Sequence, residues 1–144
     1  MVPSGYHAVF WTDEEGNTLV RFPQHPGTFG RDPEEAEEMA REALNAASEA
    51  DFERGLKLPA LRKPRTAEGE RAVLVPLDAE IRMAFLLRSW REEAGLTQRT
   101  MAARLGVSYQ AYQRMERPGR SNLTVSTPDR IARALDRELV ISVQ

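Results

Sequence analysis

Two hydrophobic patterns succeed one another along the chain. The first apolar residues come in short aromatic and β-branched blocks, YHAVFW (Tyr6–Trp11) and TLVRF (Thr18–Phe22). Both blocks predict strands, and the acidic turn TDEEGN between them, with Gly16 and Asn17, predicts a hairpin. FPQHPGTFGRDP follows, in which Pro23 and Pro26 forbid a regular central strand while Gly27 and Gly30 supply turn freedom. From Ala36 the apolar spacing changes to three and four. Asp32 is placed to cap a helix, with Pro33 at its first position and Glu34 and Glu35 favouring its positive end. Ala36, Met39, Ala40, Ala43, Leu44 and Ala47 form one stripe with acids opposite, an amphipathic helix that packs on a sheet and stops at Gly55. The proline-containing basic stretch RGLKLPALRKPRTAEGE (Arg54–Glu70) reads as a solvated connector, with a groove for an acidic partner as the alternative. AVLV (Ala72–Val75) suits a strand buried on both faces, ended by Pro76. Residues 1–77 thus read β-β-(β)-α-β.

Residues 78–144 carry helical spacing almost throughout. Asp78 is placed to cap a helix from Ala79 to about Glu93, with Ile81, Phe85, Leu86 and Trp90 inward and Gly95 at its end. Thr97 caps a second helix, Gln98–Leu105, and Gly106 makes a tight turn. Val107 points inward, and Ser108 caps a third helix, Tyr109 to about Glu116. Ala102 is small where two helices must cross. Tyr112 and Met115 face the core. Thr127 caps another helix with Pro128 at its first position and with Ile131, Ala134 and Leu135 inward. The chain ends in ELVISV (Glu138–Val143), a strand pattern with no partner in a helical domain. Its edge invites the same strand of a second chain, so Leu139, Val140, Ile141 and Val143 are expected to form a two-fold dimer; pairing with the N-terminal sheet is the rival.

The motif LTQ...A..LGVS.QAY.RME resembles the phage-repressor type of helix-turn-helix at nearly every defining position. That resemblance implies DNA binding, with the third helix in the major groove. Tyr109, Gln110, Gln113 and Arg114 then face base edges, where glutamine suits adenine and arginine guanine. Gln98 resembles the phosphate-contacting glutamine of that family. Arg99 and Arg104, and Arg117, Arg120 and Asn122 in the loop RPGRSN, are expected to add backbone contacts, which set register and affinity rather than sequence.

Charge sharpens this picture. The whole chain of 144 residues carries 20 Lys+Arg against 22 Asp+Glu, a net −2. Residues 1–77 hold nine basic and fourteen acidic residues, net −5, whereas residues 78–144 hold eleven and eight, net +3. Leu96 to Arg133 has seven arginines against Glu116 and Asp129 alone. The basic patch of a DNA reader is therefore confined to one half. The acidic half is better suited to a basic protein partner than to a duplex.

With no cysteine, thiolate zinc sites, disulfides and thiol catalysis are excluded. The two histidines, His7 and His25, read as structural or solvated rather than as metal ligands. The N-terminus lacks the pattern of a signal peptide, and no run of about 18 apolar residues is present, so a cytoplasmic protein with no membrane role is expected.

The aromatic first strand, the FP..PG of Phe22, Pro23, Pro26 and Gly27, and Asp32 opening an Ala/Glu helix resemble the HicB antitoxins. The resemblance covers most of the chain, since some of that family carry a C-terminal helix-turn-helix. It implies an N-terminal partial ribonuclease H fold, so the class expected is α+β: a β-β-(β)-α-β domain followed by an all-α helix-turn-helix domain with a dimerising strand. It further implies a small basic partner, a HicA-like toxin that cleaves mRNA. The antitoxin would occlude its active site and, with the toxin bound, repress their shared promoter at a palindromic operator as a dimer or tetramer. The resemblance gives no toxin-contact residues in this chain, no cofactor and no metal. Nuclease activity is not expected, because two-metal chemistry needs clustered carboxylates and YHAVFW carries no acid; Asp13, Glu14 and Glu15 lie in the turn beyond it. A stand-alone repressor whose first domain senses a ligand or aids oligomerisation is the alternative.

Overall fold

Tyr6, Ala8 and Phe10 alternate along strand β1 (Gly5–Thr12) and all three are buried. Strand β2 (Thr18–Arg21) pairs antiparallel with it, Trp11 opposite Leu19, and closes the expected hairpin. The third strand exists but is short: β3 (Thr28–Gly30) pairs with β2 at the edge, where the preceding prolines do no harm. With β4 (Arg71–Pro76) the sheet has the order β3-β2-β1-β4, antiparallel throughout. The computed structural model describes residues 2–119 and 124–143.

Helix α1 (Pro33–Glu53) packs against β2, β3 and β4. Asp32 caps it as expected, its carboxylate accepting from the Glu35 N–H at 2.8 Å. Its buried stripe is Ala36, Ala40, Leu44, Ser48 and Phe52, joined by Asn45, and Met39 from the expected stripe is exposed. The correction has a local cause. A Cβ on Gly30 would lie 2.3 Å from the Ala36 nitrogen, so β3 touches the helix backbone and sets which face turns inward. Asn45 then ties the helix to the end of β4. Its Nδ2 donates to the carbonyls of Arg41 (2.8 Å) and Pro76 (3.3 Å), and its Oδ1 accepts from the Asp78 N–H at 2.7 Å.

A second correction concerns AVLV. Val75 is buried but Ala72 and Leu74 are exposed, so the segment is a one-faced edge strand, not one buried on both faces. In an antiparallel sheet with a helix on one side, only alternate residues are covered.

The same topology explains the direction taken by the Arg54–Glu70 connection. Helix α1 begins beside β3 at Gly30 and ends near Tyr6, whose hydroxyl feels Asp51. Strand β4 must start opposite Phe10, at the other end of β1, because it runs antiparallel to it. The chain therefore has to travel back over about 13 Å, four residues of strand. It does so in irregular but anchored backbone. The Tyr6 hydroxyl donates to the Pro59 carbonyl (2.7 Å), Gln24 Nε2 to that of Ala60 (2.9 Å), and Arg21 pairs with Glu70 (3.3 Å). Burial, helped by Asp51, pushes the Tyr6 hydroxyl up to about 12.

Helices α2 (Ala79–Glu93), α3 (Gln98–Leu105), α4 (Tyr109–Glu116) and α5 (Ser126–Ala134) follow. The chain forms two compact units, Met1–Arg82 and Met83–Gln144, so the division falls inside α2, a few residues beyond residue 78. The second unit is built on Leu87, Met101, Ala102, Tyr112 and Ile131, with Met83, Trp90, Val107, Met115 and Leu135 packed around them. On α2 it is Leu87 that enters this core; Leu86 is only half-buried. Met83, Leu87 and Trp90 supply the stripe, while Ile81 and Phe85 are buried as expected.

One further correction lies near the C-terminus. Thr127 does not cap α5. The carbonyls of Thr124 and Val125 accept from the N–H groups of Thr127 (3.1 Å) and Asp129 (3.2 Å), so the helix starts earlier and Pro128 sits inside its first turn, where no N–H is needed. The expected strand Glu138–Val143 is not formed in the single chain. The sheet ends at β4, and Val140, Ile141 and Val143 are 79%, 64% and 95% exposed, with Leu139 half-buried. An isolated apolar segment has no ladder partner within these helices.

Candidate nucleic-acid interface

The turn between α3 and α4 is assembled from local chemistry. Thr97 Oγ1 accepts from the Thr100 N–H and Ser108 Oγ from the Ala111 N–H, each at 3.1 Å, so both caps stand where the sequence puts them. Gly106 ends α3 at φ +68°, a conformation that disfavours other residues, and the Val107 N–H returns to the Ala102 carbonyl at 3.0 Å. Tyr112 is fully buried and Met115 packs on the same core, which turns the opposite face of α4 outward.

That outward face carries Gln110 and Arg114, both exposed, and Tyr109 and Gln113, both half-buried. The last two are joined, Gln113 Nε2 donating to the Tyr109 hydroxyl at 2.9 Å. Gln98, at the start of α3, lies 3.5 Å from the same hydroxyl, and the Arg99 guanidinium stacks 4.4 Å from the Tyr109 ring centroid. The structure thus gathers four of the expected DNA-facing residues into one cluster. Arg104 stands apart from them, its Nη1 donating to the Ala134 carbonyl at the end of α5 (3.3 Å). Arg117 is half-buried just beyond α4. Arg120 and Asn122 lie outside the described residues.

Beneath this surface sits an ion pair that sequence reasoning missed. Arg91 grips Glu116 with two bonds of 2.9 Å, Nε to Oε2 and Nη2 to Oε1, and its Nη1 donates to the Leu96 carbonyl at 2.8 Å. Glu116 is completely buried. The hydrogen bonds to Glu116 hold the Arg91 guanidinium above its usual range despite burial. Burial first, and the Glu116 carboxylate next, push the Tyr112 hydroxyl far up. One arginine thereby links the end of α2, the turn before α3 and the last residue of α4. The pair spans 25 residues of sequence, and no periodicity announces it. It also alters the charge count of this surface, because Glu116 is spent inside and Asp129 is paired with Arg133 at 3.0 Å. The arginines therefore meet little opposing charge outside.

The acids considered for metal chemistry have local work. Asp13 accepts from the Glu15 and Asn17 N–H groups (2.9 and 2.8 Å) and from the Asn17 side chain (3.2 Å). Slight desolvation pushes its carboxyl up, but these bonds outweigh it and leave the group below the ordinary carboxylate range. Among the described residues no three His, Asp or Glu side chains gather as a metal site. His25 stacks edge-on against Tyr6, ring centroids 4.9 Å apart, and against Phe22. No helix among the described residues is long and apolar enough to cross a membrane.

Two capped helices around a glycine turn, an outward polar face on the second and a basic surround define a helix-turn-helix DNA-binding domain that follows a small α+β unit in the sequence. Residues 87–141 match the helix-turn-helix family accordingly. Antitoxin HicB 1 of Photorhabdus laumondii subsp. laumondii is 35% identical over 133 residues, which cover 91% of this chain and 81% of that protein. The chain belongs to the HicB antitoxin family.

Proposed function

We propose that this protein neutralises a small, basic, mRNA-cleaving toxin of the HicA type by covering its active site with residues 1–77. With residues 78–144 it represses the promoter they share. The observation that carries this reading is the likeness to Antitoxin HicB 1, which runs through both units and not through the DNA-binding one alone. The net −5 of residues 1–77 supports a basic protein as their partner. The order β-β-β-α-β supports a partial ribonuclease H fold for this unit, used for binding and not for cleavage. In the second unit, Gln110, Gln113 and Arg114 on the outward face of α4, with Tyr109 beside them, read base edges, and Gln98, Arg99, Arg104 and Arg117 approach phosphates. The Leu139–Val143 segment, exposed from Val140 onward, pairs with its copy in a second chain, which sets two recognition helices on a palindrome in the cytoplasm.

The test is to recover the tagged full-length protein from its native cells and identify what accompanies it. A stoichiometric small basic protein, toxic when expressed alone and silenced by this chain, is the expected result. Recovery of DNA with no such protein would replace the antitoxin reading with that of a plain repressor.

A further inference from the structure

Tyr109 opens α4 where one side chain meets three neighbours. Its hydroxyl accepts from Gln113 Nε2 at 2.9 Å and directs its own proton toward Gln98 Oε1 over a longer 3.5 Å. Its ring lies against the Arg99 guanidinium, 4.4 Å from the centroid. A phenol has one proton to give and lone pairs to receive, so this arrangement engages both roles at once. Gln110 and Arg114 on the same helix are exposed, whereas Tyr109 and Gln113 are half-buried.

The consequence falls on Gln113. A glutamine amide on an open helix face samples several rotamers, and ordering it on a base costs part of what the contact gains. The bond to Tyr109 orders it beforehand and uses only one of its two N–H groups. The second N–H and Oε1 stay available, the donor–acceptor pair that matches N7 and N6 of adenine. The geometry points to Tyr109 as a positioning residue: a relay from Gln98 through the Tyr109 hydroxyl to Gln113 presets the Gln113 amide for adenine and ties it to the start of α3. Discrimination at that base pair then depends on the hydroxyl, without contact between the phenol and a base. This inference rests on α4 being the recognition helix.

The experiment uses the full-length protein and a pool of duplexes randomised over about two helical turns, roughly 20 base pairs. The preferred sequence is selected with the wild type, and every single-base variant of it is then titrated with wild type, Tyr109→Phe, Gln113→Ala and the double variant. Tyr109→Phe keeps the ring under Arg99 and removes only the hydroxyl. Gln113→Ala should abolish the preference for one A·T pair. Tyr109→Phe should weaken the preference at that same pair about two- to tenfold, the net worth of one hydrogen bond, and leave the other pairs and the salt dependence unchanged. The double variant should match Gln113→Ala there. Full discrimination in Tyr109→Phe at the pair that Gln113→Ala abolishes would overturn the relay alone. So would a loss at a different pair, which would mean that the phenol reads a base itself. A wild type without sequence preference, or a Gln113→Ala variant that alters no pair, would overturn the recognition-helix reading and the relay with it.

Discussion

Arg91 and Glu116 carry a large single-residue consequence in the DNA-binding unit. Glu116→Ala leaves the Arg91 guanidinium buried without its carboxylate, and loss of one partner of such a pair costs about 3–5 kcal/mol. Urea unfolding of the variant should show that loss, and adding Arg91→Met should return part of it; a midpoint unmoved by Glu116→Ala would mean that the pair is not formed in solution. His25 gives a pH-dependent effect. Burial holds its imidazole below the ordinary value of 6.5, outweighing the opposite pull of Asp51. The unfolded chain takes up a proton in that range more readily than the folded one. Stability present above about pH 6.5 is therefore lost as pH falls through the lower, folded value. Thermal melts between about pH 7 and 5 should fall less steeply for His25→Phe, which keeps the stacking on Tyr6 and Phe22; parallel curves would clear His25 of the effect. The caps at Asp32, Thr97 and Ser108 were legible in the sequence because each bond spans three residues. Glu116 was not, because its partner is fixed only when α2 and α4 come together.

At the scale of elements, the junction of α1, β4 and α2 hangs on Asn45. Its amide satisfies the Pro76 carbonyl and the Asp78 N–H, and Asp78 also takes the Arg41 guanidinium, Nε to Oδ1 at 2.9 Å. Asn45→Ala should cost about 1–3 kcal/mol by leaving those groups unpaired. It should also speed hydrogen exchange at the Asp78 amide, and an Asp78 amide as protected as in the wild type would disprove the role of Asn45. The five helices among the described residues and the hairpin followed from apolar period, caps and turns, which act over a few residues. Not every buried position did. Met39, Leu86 and Leu74 are apolar where the pattern wants core, yet each meets solvent at least in part. The neighbours of each element were decided elsewhere in the chain: by the close approach at Gly30, by the core around Leu87, and by a sheet with one covered face.

At the scale of the molecule, the C-terminal segment makes a prediction about assembly. Val140, Ile141 and Val143 are exposed and unpaired in the single chain, a cost that strand exchange with a second copy would remove. Removing residues 138–144 should convert a dimer to a monomer in sedimentation velocity and weaken operator binding, because one recognition helix then acts alone. A truncated protein that sediments as the wild type does would place the dimer contact elsewhere.

The sequence by itself determined the order of the elements, the division into an acidic and a basic half, and the helix-turn-helix with its outward residues. These depend on local spacing and on residue chemistry that no partner has to complete. Tertiary structure alone decided that Glu116 is buried, that Tyr109 of α4 meets Gln98 of α3, that β4 is an edge strand and that Arg54–Glu70 runs back along the sheet. Each of those is a meeting of distant segments, and the physical reason is the same: burial and pairing belong to the space between elements, which no single stretch of chain encodes.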